Sequence, residues 1–134
     1  MSGAIADHPA ILGIGTDLLA IARMELAYER KGMRLVRRIL SEAERDVWQA
    51  HATPVNFLAK AFAAKEALSK ALGTGISQGV SFQDFTITRS ELGQPVVTIS
   101  GAAQRRMDTL GGRSLLLSLS DDGGFIQAFA VLSS

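Results

Sequence analysis

Residues 54–76, PVNFLAKAFAAKEALSKALGTGI, constrain the fold more than any other stretch of the chain. They read as one long helix. Thr53 can act as N-cap, and Pro54 suits the first helical position, where a missing N–H costs nothing. Gly73 and Gly75 provide the stop. The interior is mostly Ala, Leu and Lys, all strong helix formers. At helical period Phe57, Ala61, Ala64, Leu68 and Leu72 share a core stripe. The opposite face carries Ala59, Ala63, Glu66, Ala67 and Lys70, so it is nearly bare of long side chains. A helix apolar almost all round is a buried helix. A second layer, or a ligand, can therefore come close to its backbone. Glu66 and Lys70 stand at i, i+4, a spacing that also allows an ordinary ion pair worth about 0.2–0.5 kcal/mol.

Before this helix, residues 11–19, ILGIGTDLL, read as a strand. Alternation places Leu12, Ile14 and Leu18 on one face and Gly13, Gly15 and Asp17 on the other. The two glycines leave that second face open to close backbone approach. Asp17 can be the N-cap of a helix starting at Leu18 or a functional carboxylate at the end of the bare patch. That helix is expected to end near Gly32, and a short helix follows over 33–40. Together they hold Arg23, Arg30, Arg34, Arg37 and Arg38, the one local basic concentration, which is either a solvated face or a docking patch for an acidic partner. Ser41 with Glu44 forms a capping box for a helix through Trp48 to about His51.

After Gly79 the pattern changes to strands. Residues 82–89 and 95–100 form a hairpin around a turn at Gly93. A helix over 102–110 is capped by Ser100 and stopped by Gly111 and Gly112. A strand over 114–120 turns through Asp121, Asp122, Gly123 and Gly124 into a last strand over 125–132. That last strand is too apolar to face water on either side, so it belongs centrally in a sheet or at a subunit interface. The expected class is α+β: a mostly antiparallel sheet packed on the long central helix, in one domain over 1–134, with 1–9 a loose lead-in.

Composition removes several function classes. The chain has 134 residues, enough for a real core, and its formal net charge of +1 gives no general pull on nucleic acid. There is no Cys, so there is no disulfide framework, thiolate nucleophile or Cys-held zinc. The two histidines, His8 and His51, lack ligand spacing. No apolar run reaches membrane-spanning length, and the first residues lack a basic then apolar leader, which points to the cytoplasm. No Ser–His–Asp set and no P-loop is present. GIGTD is Gly-rich but lies within a strand. What remains is Asp17 on a bare strand face and Glu66 on a bare helix face. Such sparse carboxylate ligation suits magnesium, which takes its other oxygens from water and substrate phosphates. Lys70, one turn beyond Glu66, can hold a phosphate as a point charge. Metal-assisted chemistry at a phosphoanhydride follows.

GIGTDLLAIARME (13–25) and FLAKAFAAKEALSKALGTGI (57–76) resemble the two signature motifs of holo-acyl-carrier-protein synthase, the short class of phosphopantetheinyl transferase. VSFQDFTI (80–87) and ELGQPVV (91–97) extend the likeness over nearly the whole chain. The resemblance implies a reaction in which the 4′-phosphopantetheine of coenzyme A moves to a serine of an apo acyl-carrier protein and 3′,5′-ADP leaves. It implies that Asp17 and Glu66 bind magnesium and that Asp17, Glu66 and Lys70 are catalytic. It places Lys60, Lys70, Gly73 and Ser118 at coenzyme A, and Arg23, Arg30 and Arg34 at the carrier protein. It further implies a homotrimer with sites between subunits, serving fatty acid biosynthesis, with no nucleic acid or membrane partner.

Two departures from the family pattern stand out. Ala61, beside Lys60, replaces an arginine common in the second motif, and residues 116–121 read LLSLSD where many members carry histidines. Contacts to the coenzyme A phosphates are affected by both. The general base is open between a water on the metal and Glu66. Two other classes compete. A non-catalytic carrier-binding relative would release no 3′,5′-ADP. A hotdog-type thioesterase also sets a long helix on an antiparallel sheet, but it wraps one dominant helix, whereas this chain has several more.

Overall fold

The seam between strand β1 (Ile11–Ala20) and the long helix sets the architecture. A computed structural model describes residues 9–134; the lead-in expected over 1–9 falls, except for Pro9, outside the described residues, as does His8. The chain runs β1, α1 (Ile21–Lys31), α2 (Met33–Ile39), α3 (Glu42–Gln49), α4 (Pro54–Ala71), a 3-10 turn (Phe82–Asp84), β2 (Phe85–Arg89), β3 (Pro95–Ile99), α5 (Gly101–Leu110), β4 (Ser114–Asp122) and β5 (Phe125–Ser133). The class is α+β with antiparallel sheets, as expected. β1, β5 and β4 form a three-stranded sheet in the order β1-β5-β4, while β2 and β3 pair separately as a hairpin. The apolar last strand is thus the central one. Gly123 and Gly124, with φ of 59° and 83°, form the two-residue turn between β4 and β5, a conformation that favours glycine.

The sheet lies directly on α4. A Cβ on Gly13 would overlap the carbonyl of Ala71, and one on Gly15 the carbonyl of Ala67. Only glycine lets the strand backbone come this close. The bare faces of strand and helix therefore meet each other. Ala59, Ala63 and Ala67 are fully buried beneath their own chain and are not open to a neighbour. The face that faces outward instead is apolar. Ile14 is 60% exposed, Leu18 61%, Leu116 55% and Phe129 44%. No helix among the described residues is long and apolar enough to cross a membrane.

Several local expectations are corrected. α4 ends at Ala71, earlier than residue 76, and Gly73 takes φ +80 just beyond it. Thr53 makes no side-chain cap there; its hydroxyl lies 3.3 Å from Nδ1 of His51. β1 runs on to Ala20, so Leu18 and Leu19 are strand, and Asp17 is not a cap: Ala20 holds that position. Residues 82–84 form a 3-10 turn, not strand. Ser100 occupies the N-cap position of α5 without a side-chain bond, because Asp84 takes that role from a distance: the Ala103 N–H donates to its Oδ2 at 3.1 Å. Asp121 and Asp122 belong to β4. The capping box of α3 is present as expected, with Ser41 and Glu44 bonded reciprocally.

Candidate functional site

Asp17 is carried on the helix-facing side of β1, two positions past Gly15, where the sheet meets α4. Glu66 and Lys70 approach from α4. Lys70 donates to the Thr16 carbonyl at 2.9 Å and reaches Oδ1 of Asp17 at 3.3 Å. The i, i+4 pair with Glu66 is absent from the ion pairs among the described residues; Lys70 crosses to the strand instead. Gln127 of β5 donates to the Asp17 carbonyl at 3.3 Å and also bonds the Thr16 hydroxyl, fixing the strand backbone on its other side.

Glu66 is half-buried, and its carboxyl is pushed above its ordinary range. Burial is the first cause and the negative charge of Asp17 the second; Lys70 and then Arg38 act in the opposite direction. The two carboxylates are thus near enough to repel each other on a partly desolvated seam. No group of three or more His, Cys, Asp or Glu side chains able to hold a metal occurs among the described residues. A pair of carboxylates is the sparse oxygen ligation that magnesium accepts, its other oxygens coming from water and substrate, and it does not fit the closed nitrogen and sulfur sets of zinc.

The other expected site residues are spread out. Gly73 follows α4, and its N–H donates to the Lys70 carbonyl at 2.9 Å, so it does lie at the same end as Lys70. With a rise of about 1.5 Å per residue, Lys60 stands about 15 Å along the helix axis from Lys70. Lys60 is 3.7 Å from Oδ2 of Asp121. Beside it a cavity of about 430 Å³ opens between α3, α4, β2 and β4, lined by Ala61, Phe57, Ile87 and Leu119 with Arg89 and His51. Ser118 pairs with Phe129, which in turn pairs with Thr16. Asp17 pairs with Ala128 in the neighbouring row. Alternation therefore puts Ser118 on the outer face of the sheet, opposite Asp17. Within one chain Ser118 does not meet the carboxylates. Arg23, Arg30, Arg34, Arg37 and Arg38 are all exposed on α1 and α2, and none is in an ion pair among the described residues.

One buried cluster was not expected. Lys65 is fully buried, and its Nζ donates to Oε1 of Glu44 at 2.6 Å and to the Ile39 carbonyl at 2.7 Å. Glu44 also accepts from the Ser41 N–H at 2.8 Å and, through Oε2, from the Ile87 N–H at 2.8 Å. Burial pulls the Lys65 ammonium below its ordinary range, and Glu44 holds it up. The sequence carried a signal: Lys65 follows Ala61 by four positions and so lies on the core stripe, where a lysine must find a buried anion.

Residues 13–121 match the 4′-phosphopantetheinyl transferase superfamily. A holo-[acyl-carrier-protein] synthase of Photorhabdus laumondii is 47% identical over 123 residues, covering 92% of this chain and 98% of that protein. The crystal structure of a holo-[acyl-carrier-protein] synthase from Neisseria meningitidis superposes with a TM-score of 0.87 at 37% identity, over 92% of this chain and 98% of that one. The Helicobacter pylori holo-[acyl-carrier-protein] synthase, solved in complex with coenzyme A, gives a TM-score of 0.77 at 37% identity, over 89% and 98%. With a fold, two signature motifs and near full-length relatives in agreement, this chain belongs to the holo-[acyl-carrier-protein] synthase family of 4′-phosphopantetheinyl transferases.

Proposed function

We propose that this chain is a magnesium-dependent enzyme that transfers 4′-phosphopantetheine from coenzyme A to a serine of an apo acyl-carrier protein. A bond forms between the serine oxygen and the phosphorus bearing pantetheine, the bond to 3′,5′-ADP breaks, and the serine proton is released. The observation that carries this reading is the carboxylate pair on the glycine-bared seam. Burial and the Asp17 charge push the Glu66 carboxyl up, which makes its ionised form costly, a cost that a shared cation would offset; Lys70 lies against Asp17. Magnesium, when bound, supplies charge that offsets the diphosphate and stabilises the leaving phosphate.

In this reading Asp17 and Glu66 are the ligands, and Lys70 orients the diphosphate as a point charge. Gly73 offers its open backbone at the same helix end. Lys60 and the cavity beside Ala61 lie toward the opposite end of α4, where they suit the part of coenzyme A that does not react. Ser118 serves a neighbouring subunit. Its position on the outer sheet face, among Phe129, Leu116 and Ile14, supports a homotrimer with sites between subunits. The basic faces of α1 and α2 are the docking surface for an acidic carrier protein, with Arg23, Arg30 and Arg34 foremost. Fatty acid biosynthesis and a cytoplasmic setting belong to the same proposal. The test is release of 3′,5′-ADP from coenzyme A. It should require the apo carrier, stop in EDTA and resume with magnesium. Carrier binding without 3′,5′-ADP would make the chain a non-catalytic relative.

A further inference from the structure

Lys65 and Glu44 meet next to Glu66; Lys65 is sealed away from any substrate, and Glu44 borders the cavity beside Ala61. Lys65 is 0% and Glu44 3% exposed. Lys65 is the helix neighbour of Glu66, and at 3.6 residues per turn their side chains leave α4 about 100° apart. The rotation that aims Lys65 at Glu44 therefore also sets the direction of Glu66.

The network fixes that rotation from two sides. The Lys65 ammonium is held by the Ile39 carbonyl, at the end of α2, and by Glu44 on α3. Glu44 is anchored in turn by the Ser41 and Ile87 N–H groups, and the Thr86 hydroxyl donates to Oγ of Ser41 at 2.9 Å. Ile39 follows Arg38, whose positive charge acts on Glu66 and whose guanidinium carbon lies 5.6 Å from the centre of the Phe82 ring. One ammonium thus couples α2, α3, β2 and α4 at the turn that presents Glu66.

A buried ion pair is a poor source of stability, since apolar or neutral replacements of similar shape are often neutral or stabilising. What such a pair supplies is direction: each charge accepts only a partner in the right place. We propose that Lys65 and Glu44 are positioning residues that aim Glu66 at the metal, acting through the rotation and seating of α4. This inference rests on the reading of Asp17 and Glu66 as magnesium ligands.

The experiment uses the full-length chain and compares wild type with Lys65→Met, Glu44→Gln and the double variant Lys65→Met/Glu44→Gln. Two quantities are read without turnover: the thermal midpoint of metal-free protein and the dissociation constant of Mn²⁺ by electron paramagnetic resonance. Lys65→Met should lower the midpoint, because it leaves a buried carboxylate unpaired. The double variant should recover most of that loss. Its Mn²⁺ affinity should still be tenfold or more below wild type, the range expected when an outer partner of a ligand is removed. Glu44→Gln keeps the side-chain shape and should fold, with Mn²⁺ affinity weakened in the same sense. Recovery of both midpoint and Mn²⁺ affinity in the double variant would overturn the inference and leave the pair as packing. If the double variant does not fold, unchanged Mn²⁺ affinity in Glu44→Gln overturns it equally. A wild type that binds no Mn²⁺ would instead remove the carboxylate-site reading, and this inference with it.

Discussion

Asp17 and Glu66 can each be replaced by an amide of the same shape, which removes a charge and leaves the packing. Asp17→Asn and Glu66→Gln are each expected to fold normally and to lose most transfer activity, since the proposed magnesium site has only these two charged ligands and none to spare. Circular dichroism and 3′,5′-ADP release measure the two halves of that statement. Glu66 adds a pH dependence. Its folded value lies above its ordinary 4.5, so in metal-free protein the folded state holds the proton after the unfolded chain has lost it. Stability of the metal-free chain should therefore fall as pH rises from about 4.5 through the folded value. The proton also competes with the cation, so the magnesium dissociation constant should rise as pH falls through that same window. Titration calorimetry over pH checks this, and in Glu66→Gln the slope should be much flatter. Both carboxylates were readable in the sequence, because glycines and alanines strip the surfaces that carry them. Of the two readings open for Lys70, the ordinary ion pair along the helix is not formed. The i, i+4 rule points along the helix to Glu66, while the close strand gives Lys70 a carbonyl and Asp17 across the seam.

At the scale of elements, the seam of β1 and α4 is the most demanding contact. Gly15→Ala would drive a methyl into the Ala67 carbonyl, which is backbone and cannot swing aside. Overpacking of this kind costs about 1–3 kcal/mol, and more where backbone must move. Urea denaturation should show a loss in that range, and magnesium binding should weaken as Asp17 shifts. The long helix, the α3 capping box, the central last strand and the Gly-Gly hairpin were legible because each depends on local pattern. The boundaries that failed depend on distant partners. Asp84 caps α5 from nineteen positions away in sequence, which no local reading of Ser100 reveals. β1 keeps its extended form to Ala20 because β5 pairs with it through Phe125. Lys65 escaped for a related reason: its partner Glu44 already had a complete local role as a cap.

For the whole molecule, the outer sheet face and the arginines of α1 and α2 make separate predictions. Ile14, Leu18, Leu116 and Phe129 are exposed on one face of the sheet, an apolar patch of the kind that marks interfaces. Sedimentation equilibrium should give a trimer, and Phe129→Glu should give inactive monomer; a fully active monomeric wild type would refute shared sites. Arg23→Glu should raise KM for the carrier protein strongly and leave KM for coenzyme A nearly unchanged. Wild-type KM for the carrier should rise with salt, because screening sets in over about 8 Å at physiological ionic strength, and the variant's should rise less. Loss of coenzyme A binding in Arg23→Glu would put the docking surface elsewhere. The most direct test of the central claim is the intact mass of an apo acyl-carrier protein incubated with the chain, coenzyme A and magnesium. The account predicts a gain of one 4′-phosphopantetheine per carrier, matched by 3′,5′-ADP, and no gain with Asp17→Asn or in EDTA. An unchanged carrier mass with the wild-type chain, or a full gain in EDTA, would contradict it.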